Sequence, residues 1–320
     1  MIRRAISFVL LSLSTVLAQS SPAAPAQVKQ LKVTILSTML ADEGIGEWGF
    51  AALVEADGHP LLVDTGARPN TVLSNLHDLK IDLSDVDEVV LTHNHGDHVG
   101  GLLTLRREFM KANPKALSVA HVGKGIFYSR PGADGKEHNA TLKLRQEYES
   151  RGGRFVEHDQ PAELFPGVWI TGPVPRKYQE KNWSDVGKVQ TPSGLVEDTI
   201  PEDQSVVINT AKGLIVISGC GHAGIVNTLT FAEAQFPKVP VYAILGGFHL
   251  YAATDQQVDW TADKLKDFGV QYFMGAHCTG INTVYAVRDR LKLPRNSAVV
   301  GAVGASFVLG EGIHPGEIAQ

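Results

Sequence analysis

His93-Asn94-His95-Gly96-Asp97-His98 puts four metal-capable side chains within six residues, just after the apolar run Val89-Val90-Leu91. In a strand running into a turn, residues two apart project to one side, so His93 and His95 can grip one ion together. Asp97 and His98 fall where the chain turns into its next element and can face a second ion. Imidazole nitrogen and carboxylate oxygen suit zinc, and also iron or manganese. Two such ions about 3.5–4 Å apart, sharing a water, make a hydroxide nucleophile at neutral pH. The chemistry implied is metal-assisted hydrolysis.

Two later histidines fit the same chemistry. His222 ends Gly219-Cys220-Gly221-His222 and His277 ends Gly275-Ala276-His277, each after an apolar run and among small residues that permit close approach. A workable division puts His93, His95 and His222 on one ion, and Asp97, His98 and His277 on the other. Three protein ligands per ion leave room for a bridging hydroxide and a substrate oxygen. Asp97 would also orient the nucleophile and carry its proton. His249, in Gly246-Gly247-Phe248-His249, reads as ligand, proton shuttle or substrate contact. Cys220 and Cys278 are the two cysteines. Export would permit a bridge between them, but each adjoins a candidate ligand, which favours free or metal-adjacent thiols. Arg176 and Arg130 offer guanidinium forks suited to an anionic substrate.

Elements must deliver these residues to one place. After a Pro/Ala/Ser linker at 20–27, the runs 32–40, 50–55 and 61–63 read as strands, with Asp57-Gly58 turning the last two into a hairpin. Pro69 opens a helix over 70–79; 86–91 is the strand carrying the metal motif and 101–110 the helix after it. The middle holds strands at 117–121, 154–158 and 168–171 and a helix at 140–152. Its polar, Pro- and Gly-punctuated stretch 173–201 reads either as a lid or as a surface insertion, so a long lid or substrate segment is expected near 111–203. The second half repeats a strand-then-ligand grammar. Strands at 205–209 and 214–218 lead to His222, a helix at 225–235 follows, and a strand at 239–245 leads to His249. A helix at 256–268 and a strand at 272–274 then lead to His277. Ligands placed just beyond apolar strands converge on one edge of a layered sheet. An α/β protein, a four-layer αββα sandwich over about residues 30–310 with two similar halves, satisfies the pattern.

A chain of 320 residues with 43% hydrophobic content can bury a sizeable core. Residues 1–26 read separately: Arg3 and Arg4 precede an apolar run over 5–17, and Val16-Leu17-Ala18 or Ala24-Pro25-Ala26 supplies small residues for cleavage. That is the pattern of a secretory signal peptide and linker, which implies a periplasmic or secreted protein. The run is too short to span a bilayer and no later one approaches that length, so no stable membrane anchor is expected. The formal charge of −5 becomes about −7 once the two leader arginines are removed. A mildly acidic exported chain is ill suited to holding nucleic acid through phosphates; a small molecule is the expected partner.

The stretch Thr92-His93-Asn94-His95-Gly96-Asp97-His98-Val99-Gly100-Gly101 closely resembles the signature of the metallo-β-lactamase fold superfamily. The resemblance implies that fold, and it implies that Asp64, in Asp64-Thr65-Gly66, sits behind the metals and accepts a hydrogen bond from a ligand imidazole. An Asx-turn closing the strand is the other reading of Asp64, and the two are compatible. Many members carry a bridging aspartate in a Gly-Asp pair at a later strand end. Here the matching end, Ser218-Gly219-Cys220-Gly221-His222, has none. Either Cys220 takes the bridging position as a thiolate, or the second ion lacks that ligand and Cys220 is a packed thiol. Further stretches resemble one branch, the 7,8-dihydropterin-6-methyl-4-(β-D-ribofuranosyl)-aminobenzene-5'-phosphate synthase-like proteins. They are 219–228, 246–250, 277–280, Gly172-Pro173-Val174-Pro175-Arg176 and Glu202-Asp203-Gln204. The likeness runs from about Lys32 to Gly304. The reaction in that branch name belongs to a methanopterin pathway and is not carried over to a chain that reads as exported.

Three functional readings follow. The first is an exported hydrolase acting on an ester, phosphoester, lactone or amide through two divalent ions, zinc foremost. The second is an iron-dependent redox enzyme on the same scaffold, because spacing does not separate zinc from iron. The third is a metal-binding or sensing protein with reduced catalysis, in keeping with the missing aspartate.

Overall fold

Alternation along buried strands sets the layers. All six residues of Gly213–Ser218 are buried, and the pleat sends Ile215 and Ile217 to one face, Leu214 and Val216 to the other. The first pair joins Val33, Ile35 and Val54 of a second sheet in one core. The second pair packs with Ile225, Leu229 and Leu265 of overlying helices. The facing sheet divides likewise: Val63 and Val90 point inward, while Leu62, Val89 and Leu91 meet Leu76, Leu102 and Leu105. Helices, sheet, sheet, helices is the result, the α/β/β/α sandwich expected from the sequence. This computed structural model describes residues 25–180 and 187–319. The expected signal peptide therefore lies outside the described residues, apart from its last two positions. Among the described residues, no helix is long and apolar enough to cross a membrane.

The first sheet runs in the order Gly312–His314, Ser306–Val308, Leu31–Ser37, Ala51–Ala56, His59–Val63, Glu88–Leu91, Val119–Gly123, Arg154–His158. The second runs Ala298–Val300, Tyr272–Gly275, Val241–Gly246, Gly213–Ser218, Ser205–Thr210, Val168–Ile170, Ala162–Phe165. Each contains an antiparallel part followed by parallel strands joined through helices. Thr71–Asp78, Leu102–Phe109 and Thr141–Ser150 make the crossovers of the first; Ile225–Gln235, Asp255–Asp267 and Ile281–Leu291 make those of the second. The suggested two-fold similarity of the halves is real at this level. Because parallel strands need crossovers, their carboxyl ends line up on one edge, where loops are free to carry chemistry.

The middle segment differs from expectation. Part of 111–203 is framework: Val119–Gly123 and Arg154–His158 complete the first sheet, and Ala162–Phe165 and Val168–Ile170 begin the second. The stretch 173–201 carries the hairpin Lys188–Thr191/Gly194–Glu197, with 181–186 outside the described residues. The linker is also shorter than expected. Asn209 Nδ2 donates to the Ala26 carbonyl (2.7 Å), and Val28 is buried in the inter-sheet core. At the other end, residues 281–314 had no assigned elements, yet they supply a helix and an edge of each sheet. Short strands such as Ser306–Val308 carry too little period to be read without their partner, here Leu31–Ser37.

Candidate metal centre

Three strand ends deliver the ligand candidates. Glu88–Leu91 leads to Thr92 and His93, and the one-turn helix Gly96–Val99 carries Asp97 and His98. Gly213–Ser218 leads to Cys220 and His222, and Tyr272–Gly275 to His277. Donor atoms of His93, His95 and His222 lie within 4.8 Å of one another, and so do those of Asp97, His98 and His277. These are the two triads of the sequence division. They adjoin, with the His93 and His98 rings 4.1 Å apart between centroids. His93 is fully buried; its Nδ1 lies 3.0 Å from Thr92 Oγ1, while its Nε2 has no hydrogen-bond partner. A buried, unpartnered imidazole nitrogen facing two other histidines is what an ion would satisfy. The donor set fits a divalent metal.

Charge is arranged before any ion arrives. Burial drives His93 well below the usual histidine range and His95 down to about 4, so both rings are neutral near pH 7 and offer lone pairs. His277 goes the other way: burial opposes its charge, but Cys278 and Asp97 raise it to about 9. Burial likewise opposes ionisation of Asp97, yet the bond from His277 and the nearness of His98 hold its carboxyl well below the usual range. His277 Nε2 sits 3.4 Å from Asp97 Oδ2.

Behind the ligands, Asp64 is fully buried and accepts from Thr92 N–H (2.8 Å), Thr92 Oγ1 (2.8 Å) and His98 Nδ1 (2.7 Å). The last bond aims His98 Nε2 at the site and sets its tautomer. Of the two roles foreseen for Asp64 the bond to the imidazole is present, while Gly66 N–H, the donor an Asx-turn would use, goes to the Phe50 carbonyl (2.9 Å); Asp64 has a left-handed φ of 56°. His249 and His277 share such a φ (48° and 46°), an uncommon conformation that turns each side chain away from its strand. Glycine at 219 is obligatory for a different reason: a Cβ there would lie 2.2 Å from Thr92 Oγ1 and 2.5 Å from Asp64 Oδ2.

Glu202-Asp203-Gln204 holds two ligand loops at once, those of His93–His98 and His222. Glu202 pairs with Arg130 Nη2 (2.7 and 2.9 Å), and Arg130 Nε reaches Asp198 at 2.6 Å. With its amide oriented to satisfy both neighbours, Asn94 donates to Glu202 Oε1 (3.0 Å) and accepts from Arg130 Nε (3.2 Å). That fixes the turn between His93 and His95. Asp203 accepts from Ala223 N–H (2.9 Å), beside His222, and burial pushes its carboxyl up to about 7. Gln204 donates to the Leu91 carbonyl (3.0 Å), and its N–H to that of Thr92 (3.1 Å). Thr92, Asn94 and Gln204 had no assigned role, although all three stood within quoted motifs. Side chains between ligands were the available signal.

Both arginines depart from expectation. Arg130 is buried in its ion pairs, a brace for the ligand turn in place of an anion clamp. Arg176 Nη2 donates to the carbonyls of Thr199 and Ile200, which ties its loop to the Glu202 segment. Cys220 and Cys278 are free and buried, with sulfurs 3.3 Å apart. Cys220 Sγ lies 3.1 Å from His98 Nε2 and within 4.8 Å of a His93 ring nitrogen, so it sits between the two triads, where a bridging ligand would be. Burial pushes its thiol well above the usual value. His249 borders the pocket: its ring packs on His222 (4.6 Å), and it groups with both cysteines within 4.8 Å.

Glu180 anchors the loop after Arg176 by accepting from Val226 and Asn227 N–H (3.2 and 2.8 Å) at the start of Ile225–Gln235. Burial raises its carboxyl from 4.5 to about 7. The folded chain therefore keeps a proton that the unfolded chain has lost, and stability falls as pH rises from about 4.5 through about 7. The loss is about 3 kcal/mol at most. Glu180→Gln should flatten that slope; thermal melts at about pH 5 and about pH 8 that keep the wild-type difference would refute the assignment.

With the geometry in place, relatives can be compared. A family model for the metallo-beta-lactamase superfamily matches residues 49–229. The 7,8-dihydropterin-6-methyl-4-(beta-D-ribofuranosyl)-aminobenzene-5'-phosphate synthase of Methanocaldococcus jannaschii is 31% identical over 281 residues, covering 83% of this chain and 93% of the relative. Anti-Pycsar protein Apyc1 of Paenibacillus sp. strain J14 is 39% identical over 122 residues, 37% of this chain and 47% of that protein. Among solved structures, Tm1679, described as a metal-dependent hydrolase of the beta-lactamase superfamily, has a TM-score of 0.69 at 24% identity, covering 86% of this chain and 98% of that one. Zinc-bound PqqB from Methylobacterium extorquens has a TM-score of 0.52 at 16% identity, covering 86% and 99%. Those two show the fold. By the match over its ligand-bearing half and the likeness to the synthase along most of its length, the chain belongs to the metallo-beta-lactamase superfamily, in the dihydropterin synthase-like branch.

Proposed function

We propose that this chain is an exported metal-dependent hydrolase whose two triads, His93–His95–His222 and Asp97–His98–His277, each hold one divalent ion. The observation that carries the reading is the pair of adjoining triads, with the unpartnered His93 Nε2 inside the first. Divalent ions there would supply Lewis acidity and a water acidified to act near neutral pH. The chain's own residues do the rest. Asp97, held ionised, accepts a hydrogen bond from the nucleophilic water and orients it. His249 stands at the pocket edge beside His222, placed to give a proton to the leaving group. Asp64 keeps His98 in the tautomer that points Nε2 inward. Zinc is the metal of choice for this nitrogen and oxygen set, and Cys220, grouped with His93 and His98, would add a sulfur between the two ions. Small esters, phosphoesters, lactones or amides are the substrates.

Metal analysis and a hydrolysis panel test this together. Purified protein is expected to hold up to two zinc ions and to lose turnover with a chelator, regaining it on zinc addition. Full activity with less than one ion per chain would end the reading; bound iron with oxygen-dependent turnover would replace it with the redox one. Loading of the second triad should also release a proton from His277, so affinity there rises with pH toward about 9. Titration calorimetry in two buffers of different ionisation enthalpy checks this, and no buffer dependence at about pH 7 would contradict it. Export is supported by Arg3, Arg4 and the apolar run at 5–17. Mass analysis of the protein from a periplasmic fraction should find a mature start after Ala18 or Ala26, and an intact Met1 in cytoplasm would refute it.

A second reading has its own support, since the relative matched over 83% of this chain is named a synthase. A group-transfer enzyme would leave the panel blank with both ions bound.

A further inference from the structure

Two aromatic side chains stand beside the buried ligands with much of their surface open. Trp48 is 46% exposed and Tyr251 54%. Their rings meet edge to face, 5.3 Å apart at 83°. Trp48 also packs on the His277 ring (5.1 Å), and Tyr251 on that of His249 (5.4 Å). The pair thus bridges the second triad and the pocket-edge histidine.

Neither ring rides on a loose loop. Glu47, just before Trp48, is buried and accepts from Ser37 Oγ (2.8 Å), Ala67 N–H (2.9 Å) and Arg68 N–H (3.0 Å). Its own N–H donates to Thr38 O (2.8 Å), and Thr38 Oγ1 accepts from His277 N–H (2.9 Å). Two residues after Trp48, Phe50 N–H donates to the Asp97 carbonyl (3.1 Å). Tyr251 N–H donates to the Cys278 carbonyl (3.1 Å). Glycine at 280 leaves room for it: a Cβ there would come 2.9 Å from Tyr251 Cα. The backbone that aims the ligands therefore aims these rings too.

Two half-exposed rings side by side next to the ligand cluster offer stacking area, and aromatic rings pair favourably with other flat π-systems. We propose that Trp48 and Tyr251 form an aromatic wall that receives a planar aromatic or heteroaromatic group of the substrate, next to the bond cleaved. The position of that bond rests on the hydrolase reading; binding of the ring does not.

The test is titration calorimetry on the zinc-loaded mature chain with probes that need no turnover: p-aminobenzoate, pterin-6-carboxylate and adenosine monophosphate. Cyclohexanecarboxylate and ribose 5-phosphate serve as non-aromatic counterparts of matched charge type. At least one aromatic probe should bind more tightly than its counterpart, and which one it is distinguishes a benzoate, pterin or nucleobase ring. Trp48→Ala and Tyr251→Ala should each weaken that probe about three- to tenfold and leave the counterpart unchanged, while Trp48→Phe should retain most of the affinity. Because both side chains are exposed, the variants should keep the wild-type melting temperature, which circular dichroism checks. Equal binding of aromatic and saturated probes, no binding of any aromatic probe, or a preference that survives the double alanine variant would overturn the proposal. A failed hydrolase reading shows separately, as aromatic binding without turnover.

Discussion

Alanine at His98 is expected to empty the second ion position and reduce turnover by about a thousandfold, because several kcal/mol of charge stabilisation leaves with the ion. His98 links the buried Asp64 to the cluster through both ring nitrogens: Nδ1 to Asp64 at 2.7 Å, and Nε2 to Cys220 Sγ at 3.1 Å. His93→Ala should act similarly on the first position. A graded comparison gives the prediction its edge. Asp64→Asn keeps the ligand but spoils its orientation, so it should cost only about ten- to a hundredfold in affinity or rate. Elemental analysis beside turnover reads both effects. A His98→Ala protein with two ions and near-normal rate would remove this residue from the centre.

The second large effect is on stability. Arg130→Met should destabilise the fold by about 3–5 kcal/mol, since Asp198 and Glu202 would be left buried without their cation. For a domain of this size that is a fall in melting temperature of roughly 10 °C. Burial already raises the Glu202 carboxyl, and Arg130 is what opposes it. Arg130→Lys should recover little, because an ammonium cannot serve both carboxylates with the geometry of a guanidinium fork. Asn94 loses its neighbour as well, so the His93–His95 turn should loosen and weaken metal binding in whatever variant folds. A melt within about 2 °C of wild type would show that the network is not holding the site.

Legibility followed contact range. Helix Ile225–Gln235 and strand Arg154–His158 were read to the residue, because a sustained period and clear end signals announce them. The chain after Gly280 was not, because its strands are two or three residues long and owe their existence to partners far away in sequence. The arginines failed for a related reason. Arg130 reads in the sequence as a fork for an anionic substrate, and only its partners 68 and 72 residues onward make it a buried brace. Trp48 offered no signal at all, since its neighbours Tyr251 and His277 lie some 200 residues away.

What the amino-acid order by itself determined was which side chains are candidate ligands: H-x-H-x-D-H spacing at one strand end, and single histidines behind glycines at two others. The layered architecture followed from the same grammar, because apolar strands buried on both faces require helices outside. Tertiary structure alone decided which nitrogen faces inward, which carboxylates are braced, that the two sulfurs stay unbonded at 3.3 Å, and that aromatic rings border the pocket. Those outcomes depend on atoms brought together across the whole chain, where distance and burial set charge and tautomer, and neither is written in any neighbouring residue.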